Sequence, residues 1–275
     1  MKNALLALAL AAGLSPSIHA EAAGDSLRVC ADPNNLPYSN EAGEGFENAL
    51  ARLVAADMGK RVAYTWWPER ENFLSKTLQA GDCDVVMSVP AGLGEIATTR
   101  PYYVSSYVYL SRKDRKLDIT TLTDPRLKSL RIGVQVIGAD DGSNSPPAHV
   151  LGDEGISGNV TGFMIYGDTS DRDHQAEIVR AVVDGRIDIA AMWGPAAGYY
   201  AKKAPVPLAV VPIADTERFR PLQFRYAIAM GVRAEDAALR DRLNDVIERH
   251  EADIRELLGA YGFPLVDTEE SDDSR

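Results

Sequence analysis

The stretch "LRVCADPNNLPYSN" (residues 27–40) joins a short apolar run to a loop rich in Asn and Pro. The apolar run, 27–31, is typical of a buried β-strand. Asn and Pro serve turn geometry in such loops. Asn34, Asn35 and Tyr38 can also form hydrogen bonds with a ligand or a protein partner, so the loop has a structural and a binding interpretation.

The residues that follow alternate between helical and strand-like patterns. Apolar side chains recur at helical spacing from Phe46 to Met58, and Gly59 can end that helix. A strand is predicted over 62–66, a short helix over 71–78 and a third strand over 84–89. Strands that alternate with helices indicate parallel pairing in a sheet covered on both faces. The fold class is therefore α/β.

A second series of the same kind follows a strand-like crossover at 101–111 and indicates a second lobe. Its predicted elements are a strand in 129–138, a strand in 159–167, a helix over 175–183, a strand in 186–194 and extended segments in 204–214 and 222–231. An apolar stripe between Leu239 and Leu258 predicts one amphipathic helix at the end.

Composition and charge limit the possible partners. The chain has 275 residues, 45% of them hydrophobic and 25% charged, enough to bury a core in one domain or two lobes. Its formal net charge is −11. This negative net charge argues against nucleic acid and anionic membranes as partners and favours a basic protein surface.

The first twenty residues have the features of an export signal. Lys2 precedes an apolar run from Ala4 to Leu14, and Ala20 or Ala22 offers a small residue for cleavage. The run is too short to cross a membrane, and no Cys follows it at a lipobox position. We predict a signal peptide over 1–20, a periplasmic protein without a membrane anchor, and a disordered acidic tail over 265–275.

Cysteine usage agrees with export. Cys30 and Cys83 are the two cysteines of the chain, and an even number in an exported protein predicts one disulfide. Two buried thiols are the alternative, and a Cα–Cα distance within about 7 Å distinguishes the two. The two cysteines lack CxxC spacing and His is sparse, so no metal site is predicted.

Four stretches together resemble the type II periplasmic solute-binding proteins, also called solute-binding protein family 3. They are "LRVCADPNNLPYSN…GEGFENALARLVAADMG", "LQAGDCDVVMS", "TRPYYVSSYVYL" and "DGRIDIAAMWG". The resemblance implies two lobes, a hinge of two crossovers and a ligand in the central cleft. It places lobe 1 at 26–110, lobe 2 at 111–212 and a return to lobe 1 at 213–264.

The chain also departs from the family members that bind amino acids. Those members hold the ligand carboxylate with an Arg well before the Pro-Tyr of the crossover, whereas here Arg100 lies directly beside Pro101. They hold the ammonium group with an Asp after the lobe 2 strand, where this chain has Trp193 and Gly194. A zwitterion in a desolvated cleft needs both charges paired. An ordinary amino-acid receptor is therefore disfavoured.

Five short motifs resemble those of a subgroup, the quinoprotein-dehydrogenase-associated proteins of the MxaJ (MoxJ) and XoxJ type. They are "CADPNNLPYSN", "GFEN", "CDVVM", "TRPYYVSSYV" and "WGPAAGYY". That resemblance implies a protein that assists a periplasmic, pyrroloquinoline-quinone (PQQ)-dependent methanol dehydrogenase in assembly, maturation or activation by binding it. We predict no enzymatic activity and assign no cofactor; the residues leave open whether the cleft takes up a cofactor or a segment of the dehydrogenase. A small ligand in the cleft stays an open alternative.

Several side chains are candidates for the cleft, and each also has a structural interpretation. Trp193 can stack on a flat ligand or belong to the core. Arg70 and Arg100 can clamp an anion or pair with a local carboxylate. The complete set of cleft candidates is Asn34, Asn35, Tyr38, Arg70, Arg100, Tyr102 and Trp193.

Three functions remain, and each predicts a different cleft. A dehydrogenase accessory protein predicts a wide, weakly charged groove with apolar rim residues. A receptor for ABC transport predicts a compact polar cavity. A dehydratase-like enzyme on the same fold predicts a carboxylate and an Arg facing one pocket.

Overall fold

The structure, a computed structural model, describes residues 24–69, 72–136, 144–165 and 174–266. The predicted signal peptide, Arg70 and the predicted tail from residue 267 onward lie outside the described residues. Within the described ranges, no helix combines the length and apolar character that crossing a membrane requires.

The first part of lobe 1 alternates strands with helices, as predicted. Its elements are β1 (Ser26–Ala31), β2 (Asn34–Asn35), β3 (Ser39–Asn40), α1 (Phe46–Asp57), β4 (Arg61–Trp66), α2 (Phe73–Lys76), β5 (Val85–Pro90) and β6 (Ala97–Thr98). Strand β1 pairs in parallel with β4 and β5. Helix α2 is shorter than the predicted helix at 71–78.

Helix α1 shows how the pattern becomes structure. Phe46, Leu50 and Val54 are fully buried along one face, which packs on the strands of lobe 1. After the helix, Gly59 adopts φ +67°, and the Lys60 N–H reaches back to the carbonyl of Ala55. This is the glycine-dependent helix end that the sequence predicts.

Lobe 2 follows the long strand β7 (Tyr103–Arg112). Its elements are β8 (Ile132–Val136), α3 (Pro146–Asp153), β9 (Val160–Met164), α4 (Glu177–Val183), β10 (Ile189–Trp193), α5 (Gly194–Lys203) and β11 (Leu208–Pro212). Strand β8 pairs in parallel with β9 and β10. Helices α3 and α5 were not predicted from the sequence.

The chain then returns to lobe 1 through β12 (Arg225–Val232), α6 (Ala237–Arg249) and α7 (Glu251–Ala260). The sequence predicts one helix where the structure has α6 and α7. The break lies at His250, with φ −110° and ψ 22°. There the imidazole lies 2.9 Å from the Asp57 carboxylate of α1, so the bend brings a side chain onto the neighbouring helix.

Strand β7 belongs to both lobes. Its first half, up to Ser106, pairs with β12, and its second half, from Tyr107, pairs with β10 and β11. The main sheet path is therefore continuous, in the order β4-β1-β5-β12-β7-β10-β8-β9. Strand β7 is one connection between the lobes and the segment from β11 to β12 is the other, which confirms the two-lobed α/β fold. The exact lobe boundaries stay a prediction.

Helix α5 of lobe 2 packs against the segment that follows α7 in lobe 1. A Cβ atom at Gly198 would lie 1.9 Å from the carbonyl oxygen of Gly262, so only glycine allows this approach. The rings of Tyr199 and Tyr261 stack beside it, with centroids 5.9 Å apart. These contacts join helix α5 of lobe 2 to lobe 1.

Candidate functional site

A cavity of about 310 Å³ lies between the lobes, and we call it the central cavity. The lining residues come from lobe 1, from β7 and from lobe 2. They are Asn35, Tyr38, Glu47, Glu69, Ser88, Val89, Pro90, Tyr226 and Ile228, then Tyr103 and Tyr107, then Gln135, Ile165, Gln175 and Trp193. Many of them lie at or just after the carboxyl ends of strands β1, β4, β5, β8, β9 and β10, where α/β sheets bind ligands.

The loop after β1 is organised around Asp32. Its carboxylate accepts hydrogen bonds from the backbone N–H groups of Asn34 (2.7 Å) and Glu69 (2.5 Å), and its carbonyl accepts one from the Ser39 hydroxyl. Asp32 therefore fixes the loop and brings Glu69 beside it. The Asn34 backbone takes part in this turn, and Asn34 is not among the residues that line the central cavity.

Asn35 is buried and connects the two lobes. Its Nδ2 donates to Oε2 of Glu69 over 2.7 Å, and its Oδ1 accepts from Nε2 of Gln175, in lobe 2, over 2.5 Å. Beside it, the Tyr200 hydroxyl of α5 donates to the Leu36 carbonyl. The loop after β1 thus contacts lobe 2 directly.

Gly45 positions the first turn of α1 at the central cavity. A Cβ atom there would lie 2.0 Å from the carbonyl oxygen of Tyr38, so the loop and the helix start approach closely only with glycine. The same carbonyl accepts a hydrogen bond from the Glu47 N–H over 2.8 Å. Tyr38 and Glu47 consequently lie together on the lobe 1 side of the cavity.

Glu47 and Glu69 form a carboxyl pair in this cavity. Both residues are half-buried, and both line the cavity. Burial, followed by repulsion from Glu69, raises the pKa of Glu47 to about 8. Burial, followed by repulsion from Asp32, raises the pKa of Glu69 to about 7. Near neutral pH the pair therefore holds protons that exposed carboxylates would have lost.

Three aromatic side chains form the aromatic wall of the cavity. The ring of Trp193 packs edge-to-face on Tyr107, with centroids 5.4 Å apart, and on Tyr226, at 5.6 Å. Gln135, itself buried, accepts a hydrogen bond from the backbone N–H of Trp193 over 2.7 Å. Trp193 and Tyr107 are also cross-strand partners on β10 and β7, so the sheet itself sets their spacing.

Of the side chains predicted for the cleft, Asn35, Tyr38 and Trp193 line the central cavity. Tyr102 lies behind the cavity, where its hydroxyl donates to the Met87 carbonyl and its ring stacks on Phe46. Arg70 lies outside the described residues.

The structure does not bring Arg100 to the central cavity. Its guanidinium pairs with Glu248 of α6 over 2.9 Å, and its backbone N–H donates to Asn244. It therefore has a carboxylate partner, as the structural interpretation predicts, but that partner is distant in the sequence rather than local.

The predicted disulfide is present. Cys30 on β1 and Cys83, just before β5, are bonded, with Cα atoms 5.4 Å apart. Both are buried beneath α2. The bond thus fastens together two neighbouring strands whose ends reach the central cavity.

The sequence did not single out Glu47, Glu69, Tyr107 or Gln175 as cavity residues. Glu47 occurs in the first turn of a helix, where an acidic side chain is common because it complements the helix dipole. Glu69 follows "TWWP" at the end of β4. One signal was available, since residues after the carboxyl ends of parallel strands share one edge of the sheet.

The fold and this cleft are those of a periplasmic-type binding protein. Residues 27–262 match the family of bacterial extracellular solute-binding proteins, family 3, and the chain belongs to that family. It is 30% identical over 252 residues to Protein MoxJ of Methylorubrum extorquens, covering 88% of this chain and 82% of the relative.

Two solved structures extend this similarity. The periplasmic binding protein XoxJ from Methylobacterium extorquens AM1 has 33% identity and a TM-score of 0.71, covering 88% of this chain and 99% of that one. MxaJ from Methlophaga aminisulfidivorans MPT has 28% identity and a TM-score of 0.74, covering 87% and 100%. The predicted resemblance to proteins of the MxaJ and XoxJ type is confirmed, and the family is an extracellular or periplasmic one.

Proposed function

We propose that this chain is a periplasmic accessory protein of a PQQ-dependent methanol dehydrogenase and binds the dehydrogenase to assist its assembly, maturation or activation. The observation that carries the proposal is the similarity to MoxJ, XoxJ and MxaJ over nearly the whole folded chain. The role is one of binding rather than catalysis, in keeping with the family.

The surface supports an interaction with a protein. Trp67 follows β4 and is 44% exposed, and Met164 ends β9 and is 42% exposed. These strands lie at the two ends of the main sheet path, and the exposed residues lie at their carboxyl ends, on the side of the cleft. Exposed large apolar residues around a cleft are typical of interaction sites, and Trp is often a hot spot. The acidic net charge favours a basic partner surface.

The test measures binding of the mature chain to a purified PQQ-dependent methanol dehydrogenase, with and without its quinone, by surface plasmon resonance. We expect saturable binding that weakens with added salt, because screening reduces attraction between oppositely charged surfaces. Absence of binding to both forms at micromolar concentration would contradict the proposal. Recovery of dehydrogenase activity from the quinone-free enzyme, with and without this chain, measures the assisting role.

A pair of variants localises the interface. Trp67→Ala should weaken binding by about 2 kcal/mol, about thirtyfold, as hot-spot tryptophans do. Leu265→Ala is the matched control, because Leu265 is also a large exposed apolar residue but lies in the C-terminal segment beside α6 and α7. Equal effects of the two substitutions would argue against an interface at the cleft rim.

The central cavity itself favours a second candidate function, the capture of a small solute. An accessory role alone predicts a wide, weakly charged groove, whereas the observed cavity is compact and contains the carboxyl pair. Its volume lies at the lower end of the range for small-molecule sites, roughly 300–1,000 Å³. A dehydratase-like site would add an Arg, and no Arg is among the described lining residues.

A further inference from the structure

We propose that the central cavity binds the ammonium group of an organic amine that carries no carboxylate of its own. The amine can be a small free molecule or the side chain of a lysine in a partner protein, because both present the same group. This inference deepens the second candidate function, and it does not depend on dehydrogenase binding.

The charge of the lining is the first argument. Glu47 and Glu69 face the cavity, and Asp32 lies beside Glu69. Among the described residues that line the cavity there is no Lys, Arg or His to balance them. Buried carboxylates are stable as anions only when they are paired and hydrogen-bonded. A ligand cation would supply that pairing.

The hydrogen-bonding capacity of the carboxyl pair is the second argument. Glu69 accepts a hydrogen bond from Asn35, and the Ser88 hydroxyl lowers the pKa of Glu47. An ionised carboxylate has about four acceptor positions, and a primary ammonium group has three donors. The contacts found among the described residues therefore leave acceptor capacity that matches an ammonium group.

The aromatic rings are the third argument. Tyr38 and Tyr103 line the cavity together with the aromatic wall, Tyr107, Trp193 and Tyr226. Aromatic faces attract cations, Trp most strongly, and they also accept the hydrocarbon part of an amine. Carboxylates and aromatic rings lining one cavity are the chemistry by which proteins recognise organic cations rather than neutral polar solutes.

The same lining disfavours a ligand carboxylate. An amino acid would bring its own anion next to Glu47 and Glu69, and like charges in a desolvated site repel strongly. Carboxylate ligands are usually held by a bidentate Arg, and the described lining offers none. The cavity therefore selects amines over amino acids and over organic acids.

Binding should also release protons. Burial and neighbouring carboxylates raise the pKa values of Glu47 and Glu69, and a bound cation would lower them again. Within the described part of the chain, the titratable groups that interact with this pair are acidic, so none of them competes as a cation. Those groups are Asp32 and the tyrosines Tyr38, Tyr64, Tyr102 and Tyr103.

The experiment is isothermal titration calorimetry of the mature chain alone near neutral pH, in two buffers of different ionisation enthalpy. The probes are n-butylammonium, Nα-acetyl-lysine amide, 1-butanol, butyrate and lysine. We expect one or both carboxylate-free ammonium probes to bind at least about tenfold more tightly than butanol, butyrate or lysine. Net proton release on binding is expected as well.

The outcomes separate the two sources of the amine. Binding of n-butylammonium supports a free amine, and binding of Nα-acetyl-lysine amide alone supports a lysine side chain. Tighter binding of butyrate or of lysine, or no binding of either carboxylate-free ammonium probe at millimolar concentration, overturns the proposal. Because no dehydrogenase is present, failure here leaves the accessory role to its own assay.

Variants locate the binding group. The double variant Glu47→Gln/Glu69→Gln should weaken ammonium binding by at least about tenfold and abolish proton release, since the amides keep the shape without the charge. Glu256→Gln on the exposed side of α7 is the matched control and should bind like the unchanged chain. Unchanged affinity in the double variant, with folding confirmed by circular dichroism, would also overturn the proposal.

Discussion

Replacement of Glu69 by Gln tests the electrostatics of the central cavity through stability. Burial and the nearby Asp32 raise the pKa of Glu69 from 4.5 to about 7. The folded chain therefore holds this proton more tightly than the unfolded chain. The contribution of this proton to the free energy of unfolding is fully present below about pH 4.5 and is lost as the pH rises toward about 7.

The size of the effect follows from that interval. About 2.5 pH units, at about 1.4 kcal/mol for each, give a loss of about 3 kcal/mol for the unsubstituted chain above neutral pH. Gln keeps an oxygen that accepts the hydrogen bond from Asn35 but carries no charge to desolvate. Glu69→Gln should therefore be about as stable as the unsubstituted chain near pH 4.5 and about 3 kcal/mol more stable near pH 8.

Differential scanning calorimetry across this pH range measures the effect. For a chain of this length, about 3 kcal/mol corresponds to a rise in Tm of roughly 6–12 °C at the alkaline end. Glu256→Gln, on the exposed surface of α7, is the matched control. A Tm difference between Glu69→Gln and the unsubstituted chain that stays the same from acid to alkaline pH would refute the reasoning.

Three further predictions concern the framework of the site. Replacing Cys30 and Cys83 by Ala should lower the unfolding free energy by about 4 kcal/mol in urea titrations, because the bond closes a loop with a sequence separation of 53; an unchanged midpoint would contradict this. Gly198→Ala should lower Tm, because its Cβ meets a carbonyl at 1.9 Å, whereas Gly259→Ala, with open space in α7, should raise Tm slightly. Arg233→Met should cost about 2 kcal/mol in the same titrations, because Asp236 loses its ion pair, Asp84 keeps only its pair with Arg28, and the Cys83 carbonyl loses a donor; a loss below about 0.5 kcal/mol would show the pairs to be unimportant.

The alternation of strands and helices was predictable because its signals are local. The apolar run at 27–31, the helical spacing after Phe46 and the left-handed Gly59 each depend on neighbouring residues alone. Helix α5 was not predicted, because its glycines are typical of turns. In the folded chain Gly198 lies within α5, where its missing side chain lets the helix approach Gly262. That contact joins segments far apart in the sequence, so local patterns do not reveal it.

The site was predictable only in part, and for the same reason. Asn35, Tyr38 and Trp193 lie at strand ends, a position that the sequence reveals. Burial and Glu69 raise the pKa of Glu47, and burial and Asp32 raise the pKa of Glu69, and both environments require the folded chain. An isolated Glu in a first helical turn carries no sign of that environment.

The sharing of β7 between the lobes determines which part of the central cavity would move least in a rotation of one lobe against the other. Ser106 pairs with lobe 1 and Tyr107 with lobe 2, so the pivot of any such rotation passes between adjacent residues. The aromatic wall is built around that pivot, since Tyr107 and Trp193 are paired across β7 and β10 and Tyr226 pairs with Ser105. Points near an axis move least. A ligand in the central cavity would therefore keep its contacts with the aromatic wall through such a rotation, whereas Gln175 of lobe 2 would move relative to Glu47 and Glu69 of lobe 1.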